Sequence, residues 1–321
     1  MTVAEFEELR PLLFSIAYRI LGSVSEAEDA VQETWLRYQA SATPPVSTKA
    51  FLSAVVTRVS IDVLRSARVR RERYVGQWLP EPLLTDGGAG LAGADAGPGE
   101  PAAYGNPERT AELADSVSMA ALLLLERLSP VERAVFVLHD VFAYSYTEIG
   151  QIVGETEVNC RQLASRARKR MGEDRPRFDA DRRERDELAG RFFDALTEGD
   201  VDGLRELLAA DVQVYGDGGG KAPQWTRVVV GIDKVARMFA GLGSRFGAAG
   251  VSVERHEVNG QPGAVLRDRD GRTINVMVLD VLDGQIQAIR SVINPDKLGH
   301  LGPVADAWAL VREARPESQA D

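Results

Sequence analysis

Hydrophobic residues recur at helical spacing through the first third of the chain and change to strand-like alternation in the last third. Thr2 with Glu5 marks a helix start before a stripe of Phe6, Leu9, Leu13, Ile16, Ala17 and Ile20, and Gly22 ends it. Ser25 with Glu28 opens a second stripe of Ala27, Ala30, Val31, Trp35 and Leu36. A third begins at Ser47 or Thr48 and runs through Phe51, Leu52, Val55, Val56, Val59, Ile61, Val63 and Leu64. It becomes almost purely basic by Arg73. From Thr85 to about Asn106, Gly, Ala, Pro and Asp replace large apolar residues, which predicts a flexible linker. Residues 78–83, just before it, are apolar enough to dock somewhere.

Residues 129–171 read as a helix-turn-helix. Ser129-Pro130-Val131-Glu132 combines an N-cap serine, a proline at the first helical position and a capping-box glutamate. Ser145-Tyr146-Thr147-Glu148 repeats the signature one short helix later. Gly154 then breaks the chain, and Thr156 caps a last helix. On that helix Cys160, Leu163, Ala164, Ala167 and Met171 form an inward stripe. Asn159, Gln162, Arg166 and Lys169 share the opposite face, with Arg161, Arg168 and Arg170 on its flanks. Arginine, asparagine and glutamine pair with base edges, and flanking arginines suit phosphates. A solvated basic helix has the same composition; the short preceding helix, the turn and the paired capping boxes favour a DNA-reading one.

The last third begins with helices at 187–197 and 201–208, followed by a strand at 212–215. Another strand at 228–230 precedes a helix at 232–242. Strand patterns then follow at 251–258, 264–267, 273–282 and 285–293, with turns at Gly260, Asp270-Gly271 and Asp283-Gly284. Helices before an antiparallel meander predict an α+β domain with a curved sheet. The whole chain is thus expected to be multidomain, two all-α helical domains followed by an α+β domain.

Composition sharpens this picture at three points. The 321 residues suffice for two or three domains, and the net charge of −10 argues at first against nucleic acid. The basic residues are clustered, however, at 65–73 and 161–170. Such a chain binds DNA weakly alone and strongly when a partner supplies the rest. The single cysteine, Cys160, excludes an intramolecular disulfide and a multi-cysteine zinc site. No run of eighteen apolar residues and no basic-then-apolar leader occurs, so the expectation is a cytoplasmic protein without a membrane partner.

The order of these parts resembles the extracytoplasmic-function class of bacterial sigma factors. Residues 28–36 (EDAVQETWL) look like the segment that grips the clamp of the RNA polymerase beta-prime subunit. The helix from Phe51-Leu52 through Asp62-Val63-Leu64-Arg65 looks like the one that recognises and opens the −10 element. The helix-turn-helix looks like the reader of the −35 element. The resemblance implies core-polymerase contacts by Glu28, Asp29, Gln32, Glu33 and Leu36. It implies −10 contacts by Arg58, Arg65, Arg68, Arg70 and Arg71, and −35 contacts by Asn159, Arg161, Gln162, Arg166 and Lys169. Many members carry asparagine where this chain has Arg58, so their −10 base preference does not transfer.

The last third resembles the SnoaL-like branch of the NTF2-like fold, a cone with a pocket. Asp217-Gly218-Gly219-Gly220-Lys221 and Asn294-Pro295-Asp296-Lys297 match two motifs of a sigma subgroup that carries this domain as a fused extension; residues 78–83 extend the match. The resemblance implies that these two loops are interdomain regulatory contacts and that a separate anti-sigma protein is not required. The expected division is region 2 in 1–76, linker 77–107, region 4 in 108–172, connector 173–185, SnoaL-like domain 186–298 and tail 299–321. An amphipathic stretch at 307–311 in that tail either forms a docking helix or frays.

A catalytic reading of the last domain needs a buried acid or base beside a polar partner. Asp211, Tyr215, His256, Asp280 and Arg290 are the candidates, and a satisfied strand histidine is the simpler account of His256. Three histidines in the chain propose no metal cluster, and no cofactor is implied. The leading expectation is a promoter-specific transcription initiation factor controlled in cis, not an enzyme. The alternatives are a bifunctional protein whose pocket binds or turns over a small molecule, and an ordinary helix-turn-helix regulator.

Overall fold

The computed structural model describes residues 3–41, 45–86, 116–172 and 182–313. They fall into two compact units: one contains residues 1–73 and 85–176, the other residues 74–84 and 177–321. The Thr2 cap and most of the expected linker lie outside the described residues.

The first unit is all helix. α1 (Val3–Leu21), α2 (Val24–Gln39) and α3 (Thr48–Arg71) pack as a three-helix bundle around Leu13, Ile16, Ile20, Ala27, Val31, Leu52 and Val56, all nearly free of solvent. The α2 cap is Ser23, whose hydroxyl accepts from the Glu26 amide at 3.1 Å, two residues earlier than the Ser25 start expected from the sequence. Ser47 caps α3 through the Ala50 amide, as expected. α4 (Met119–Leu125) and α5 (Pro130–Phe136) lead through a wide π-helical turn at Val137–Val141 to α6 (Tyr146–Val153) and α7 (Glu157–Gly172). Both capping boxes form, at Ser129/Glu132 and at Ser145/Glu148. α6 ends at Gly154 in the left-handed region, φ 77°, and Thr156 accepts from the Asn159 amide at 3.2 Å to open α7. Cys160, Leu163, Ala164, Ala167 and Met171 are all buried, so the predicted inner stripe is the packed one.

The second unit is α+β. α8 (Arg182–Glu198), α9 (Val201–Leu207) and α10 (Ile232–Ala249) pack on a six-stranded sheet built from β1 (Leu208–Asp217), β2 (Val229–Val230), β3 (Ser252–Val258), β4 (Gln261–Arg267), β5 (Thr273–Leu282) and β6 (Gln285–Val292). The strand order is β2-β1-β6-β5-β4-β3. β3 to β6 form the expected antiparallel meander, but β1 pairs with β6 in parallel, which local periodicity cannot show. Register shifts at Leu266/Arg267 and Asp280/Val281 curve the sheet around a core of Phe192, Phe193, Phe239, Leu266, Leu279 and Ile289.

α10 runs seven residues past the expected end at 242, through a glycine-rich stretch that reads as a break. Gly243 explains it, because a Cβ there would lie 1.8 Å from the Leu196 carbonyl oxygen. The glycine lets α10 pass against the end of α8, and packing overrides helix propensity. The tail carries α11 (Ala307–Glu313), tethered to β5 by Thr273 N–H to Pro303 O (2.8 Å) and Ala305 N–H to Thr273 O (2.9 Å).

Candidate functional site

Four groups of side chains carry the expected chemistry. On α2, Glu28, Asp29, Gln32, Glu33 and Leu36 share one face. Asp29 and Gln32 are exposed, and Leu36 is 52% exposed, a large apolar side chain left open to solvent. Glu28 pairs with Arg10, and Glu33 with Arg37 at 2.7 Å. An acidic rim around an apolar centre is what a basic, partly apolar partner would fit.

On α3 the structure divides the five arginines. Arg65 and Arg70 stay exposed, paired with Asp62 (3.1 Å) and Glu26 (2.5 Å). The other three turn onto the helix-turn-helix module. Arg58 donates Nε to Ile152 O and Nη2 to Gln151 O, both at 2.7 Å. Arg68 donates to Glu126 O at 2.9 Å, and Arg71 reaches the Glu126 carboxylate and Leu21 O (2.7 Å).

Glu126 is the centre of this packing. Its other oxygen binds Arg133, a fully buried guanidinium that also donates to Arg19 O at 3.0 Å. Burial alone would raise the Glu126 pKa. Arg133 and Arg71 outweigh that and hold it below the ordinary carboxylate value. Tyr144 adds a hydrogen bond to Ser53 Oγ at 2.8 Å. Neither Glu126 nor Arg133 was singled out from the sequence. Each lies within a few residues of the Ser129 cap, and nothing local distinguishes a buried ion pair from a surface charge.

On α7, Gln162, Arg166 and Lys169 are exposed and Asn159 half-buried, on the face opposite the inner stripe. Their neighbours hold them loosely: Asn159 donates to Glu155 at 2.7 Å, Arg161 pairs with Glu157, and Arg166 lies 3.6 Å from Glu132. Arg168 and Arg170 pair with Asp140 and Glu132.

The fourth group lies in the second unit, where the two loops meet. Asp217 ends β1 fully buried, and the Asn294-Pro295-Asp296-Lys297 turn follows β6. The Ile293 and Asn294 amides both donate to Asp217 O. Lys297 Nζ donates to Asp217 Oδ2 at 2.7 Å. This pair closes on residues 74–84, which pack as part of the unit. Tyr74 Oη donates to Asp217 Oδ1 at 2.5 Å, Leu79 N–H to Asp217 Oδ2 at 2.8 Å, and Lys297 Nζ to Leu79 O. The Lys297 ammonium also sits 4.5 Å from the Trp78 ring centre and 4.9 Å from that of Tyr74. Burial, then the Asp217 carboxylate, push the Tyr74 hydroxyl well above its usual pKa, so it stays a donor. Further along, Leu83 N–H donates to Asn259 and His300 Nε2 meets Pro82 O at 2.7 Å.

Gly219 belongs to this closure. At φ +58° its Cα faces Asn294, and an added Cβ would lie 2.4 Å from Asn294 Nδ2 and 3.0 Å from Tyr74 Oη. Lys221 and Asp296 pair at 2.5 Å on the exposed rim. Of the residues expected to make interdomain contacts, Asp217, Gly219, Asn294 and Lys297 therefore close on residues 74–79.

Of the catalytic candidates, Tyr215, Asp280 and Arg290 come together, whereas Asp211 and His256 stand apart from them. Asp211 is exposed, and the half-buried His256 lies 3.9 Å from Glu254. Asp280 and Arg290 pair with each other, with Arg290 over the Tyr215 ring. No described helix is long and apolar enough to cross a membrane.

Comparison with known proteins follows the same division. A sigma-70 region 2 family model matches residues 6–70, a sigma-70 region 4 model residues 118–171, and a SnoaL-like domain model residues 189–288. The chain is 39% identical to the ECF RNA polymerase sigma factor SigJ of Mycobacterium tuberculosis over 305 residues, 92% of this chain and 93% of that one. SigI of the same bacterium is 32% identical over 295 residues, 91% of this chain and 93% of that protein. The crystal structure of M. tuberculosis SigJ superposes with a TM-score of 0.70 at 37% identity, covering 93% of this chain and 98% of that one.

Proposed function

Since the chain belongs to the extracytoplasmic-function sigma factors of RNA polymerase, we propose that its SnoaL-like domain controls promoter binding in cis by gripping the linker that joins regions 2 and 4. The grip of Asp217 and Lys297 on residues 74–79 carries the reading. Those residues follow α3 directly, so the helix with the −10 arginines leads straight into a segment held by a different domain. Region 2 (1–76) and region 4 (108–172) contact each other through Arg58, Arg68 and Arg71, which occupies three of the five side chains needed at the −10 element. A sigma factor must present both modules to promoter DNA at once, so this packing has to open on core polymerase.

In the open state Glu28, Asp29, Gln32, Glu33 and Leu36 bind the polymerase clamp. Arg58, Arg65, Arg68, Arg70 and Arg71 track the −10 strand, where cations follow the backbone. Asn159, Arg161, Gln162, Arg166 and Lys169 read the −35 element. The protein works in the cytoplasm, and a control element within its own chain makes a separate anti-sigma protein unnecessary.

Run-off transcription with purified core polymerase tests the grip. Leu79→Asp places a second carboxylate beside Asp217 and should expel the segment while leaving the SnoaL-like core untouched. The expected result is several-fold more transcript than the native chain yields at equal concentration. Equal or lower yield from a folded variant refutes control through this contact.

A further inference from the structure

The arginines expected at the −10 element are held by two different chemistries. Arg65, Arg70 and Arg71 each meet a carboxylate, that of Asp62, Glu26 and Glu126 respectively. A carboxylate presents charged oxygens as a phosphate does. Arg58 pairs with no carboxylate among the described residues. One edge of its guanidinium lies against two successive backbone carbonyls at the C-terminal end of α6. Nε donates to Ile152 O and Nη2 to Gln151 O, both at 2.7 Å. Carbonyls in the last turn of a helix find no donor within it, so both are open to an outside partner. The guanidinium is planar and holds its donors in a fixed fork. Two parallel donors are thus matched to two adjacent neutral acceptors. The residue itself is exposed on α3, two turns before Arg65.

We propose that Arg58 sets base preference at the −10 element by reading a base that presents two adjacent acceptors, and that the α6 carbonyls stand in for that base while regions 2 and 4 are packed. Guanine presents such a pair in O6 and N7, the usual partner of an arginine fork. An unpaired cytosine presents another in O2 and N3. Adenine and thymine alternate donors and acceptors along their edges, so one donor of the fork would face another donor and stay unpaired. That loss is the source of selection. A phosphate contact carries no such selection. The proposal rests on the −10 contact assigned to Arg58 above and deepens it, separating a base reader from the arginines matched to carboxylates, which hold the backbone.

Holoenzyme made from the full-length chain and core polymerase tests this. Promoters are first captured by in vitro transcription of genomic DNA fragments. Run-off yield is then compared on templates in which each −10 position carries A, C, G or T in turn. At one position the native chain should favour G, or C, over both A and T by roughly fivefold or more, and the separate templates tell which. Arg58→Lys keeps the charge without the fork, and Arg58→Gln offers one donor and one acceptor. Each should weaken that preference by roughly fivefold or more and leave the other positions unchanged. The ratio between templates cancels any change in overall yield caused by loosening regions 2 and 4. Where a variant yields too little transcript, fluorescence anisotropy of its holoenzyme on single-stranded −10 oligonucleotides measures the same ratio. A fall in yield with unchanged ratios would make Arg58 a backbone contact and overturn the proposal, leaving the −10 contact itself standing. Unchanged ratios and unchanged yield in both variants would overturn the contact as well. Leu79→Asp acts on every template alike, so its outcome is read separately.

Discussion

Lys297→Met isolates the linker grip. In the native chain Lys297 is 8% exposed and Asp217 is fully buried, and the ammonium is shared between the Asp217 carboxylate and Leu79 O. Methionine keeps the length of the side chain and removes its charge. Asp217 then retains donors from Tyr74 and Leu79 but no counter-charge. Removing one partner of a buried pair costs about 3–5 kcal/mol. With residues 74–84 detached, the same carboxylate meets water, where losing its partner costs about 0–1 kcal/mol. Most of the loss therefore falls on the gripped state. At 1.4 kcal/mol per decade, local release should become roughly a hundredfold more frequent, or more. Hydrogen–deuterium exchange of peptides covering residues 74–84 measures this directly, because the Leu79 amide is bonded to Asp217 itself. Peptides from β5 should keep their protection, which separates release from unfolding. Adding Asp217→Asn should recover at least a decade by removing the stranded charge. An increase below threefold in folded Lys297→Met would show that the pair does not hold the segment.

Two further outcomes follow from the first unit. Glu126 is held below its ordinary pKa in the packed state, so its contribution is present above about pH 4.5 and is lost as the pH falls through the depressed value. A dye pair on α2 and α7 should show regions 2 and 4 separating on acidification below that range, and already apart at pH 7 in Glu126→Gln; a constant distance in both refutes the role of Glu126. Gln162→Ala and Arg166→Ala should each cost about 1–3 kcal/mol at the −35 element if they read base edges. Run-off yield on −35 promoters should then fall roughly five- to hundredfold, with little change on a template lacking that element.

What the sequence displayed was everything decided within about ten residues. The inner stripe of α7, both capping boxes and the Asp283-Gly284 hairpin follow from local spacing and turn chemistry, and each appears in place. The Ser23 cap was missed because Ser25 offers an equally good local signature; which serine caps depends on where α1 ends at Gly22. The expected helix at 232–242 stops seven residues short of α10, whose continuation depends on Gly243 making a close approach to α8 from more than forty residues away. The parallel β1–β6 pairing and the meeting of Asp217 with Lys297, eighty residues apart, are non-local as well. Resemblance to a family marked those two loops as important. Only the fold shows that they close on Tyr74 and Leu79.

The two sets of basic residues are restrained very differently, and the proposed function places the licensing of DNA binding at the more tightly held set. Arg161, Arg166, Arg168 and Arg170 on α7 pair with Glu157, Glu132 and Asp140, but the arginine side chains are 46–61% exposed. Exposed pairs are worth about 0–1 kcal/mol each and exchange readily for phosphate. Arg71 and Arg133 meet Glu126 at 14%, 1% and 20% exposure, in a cluster where losing one member strands another charge. The acidic neighbours of α7 therefore temper its affinity without blocking it, and a net charge of −10 does the same at longer range. On the proposed function, the obstacle to promoter binding is the buried junction between regions 2 and 4. In the proposed mechanism, polymerase lowers it by offering α2 and α3 a competing partner. On the same proposal, the SnoaL-like domain, which holds the chain from the third residue after Arg71 onward, would limit how far the two regions can part once that junction yields.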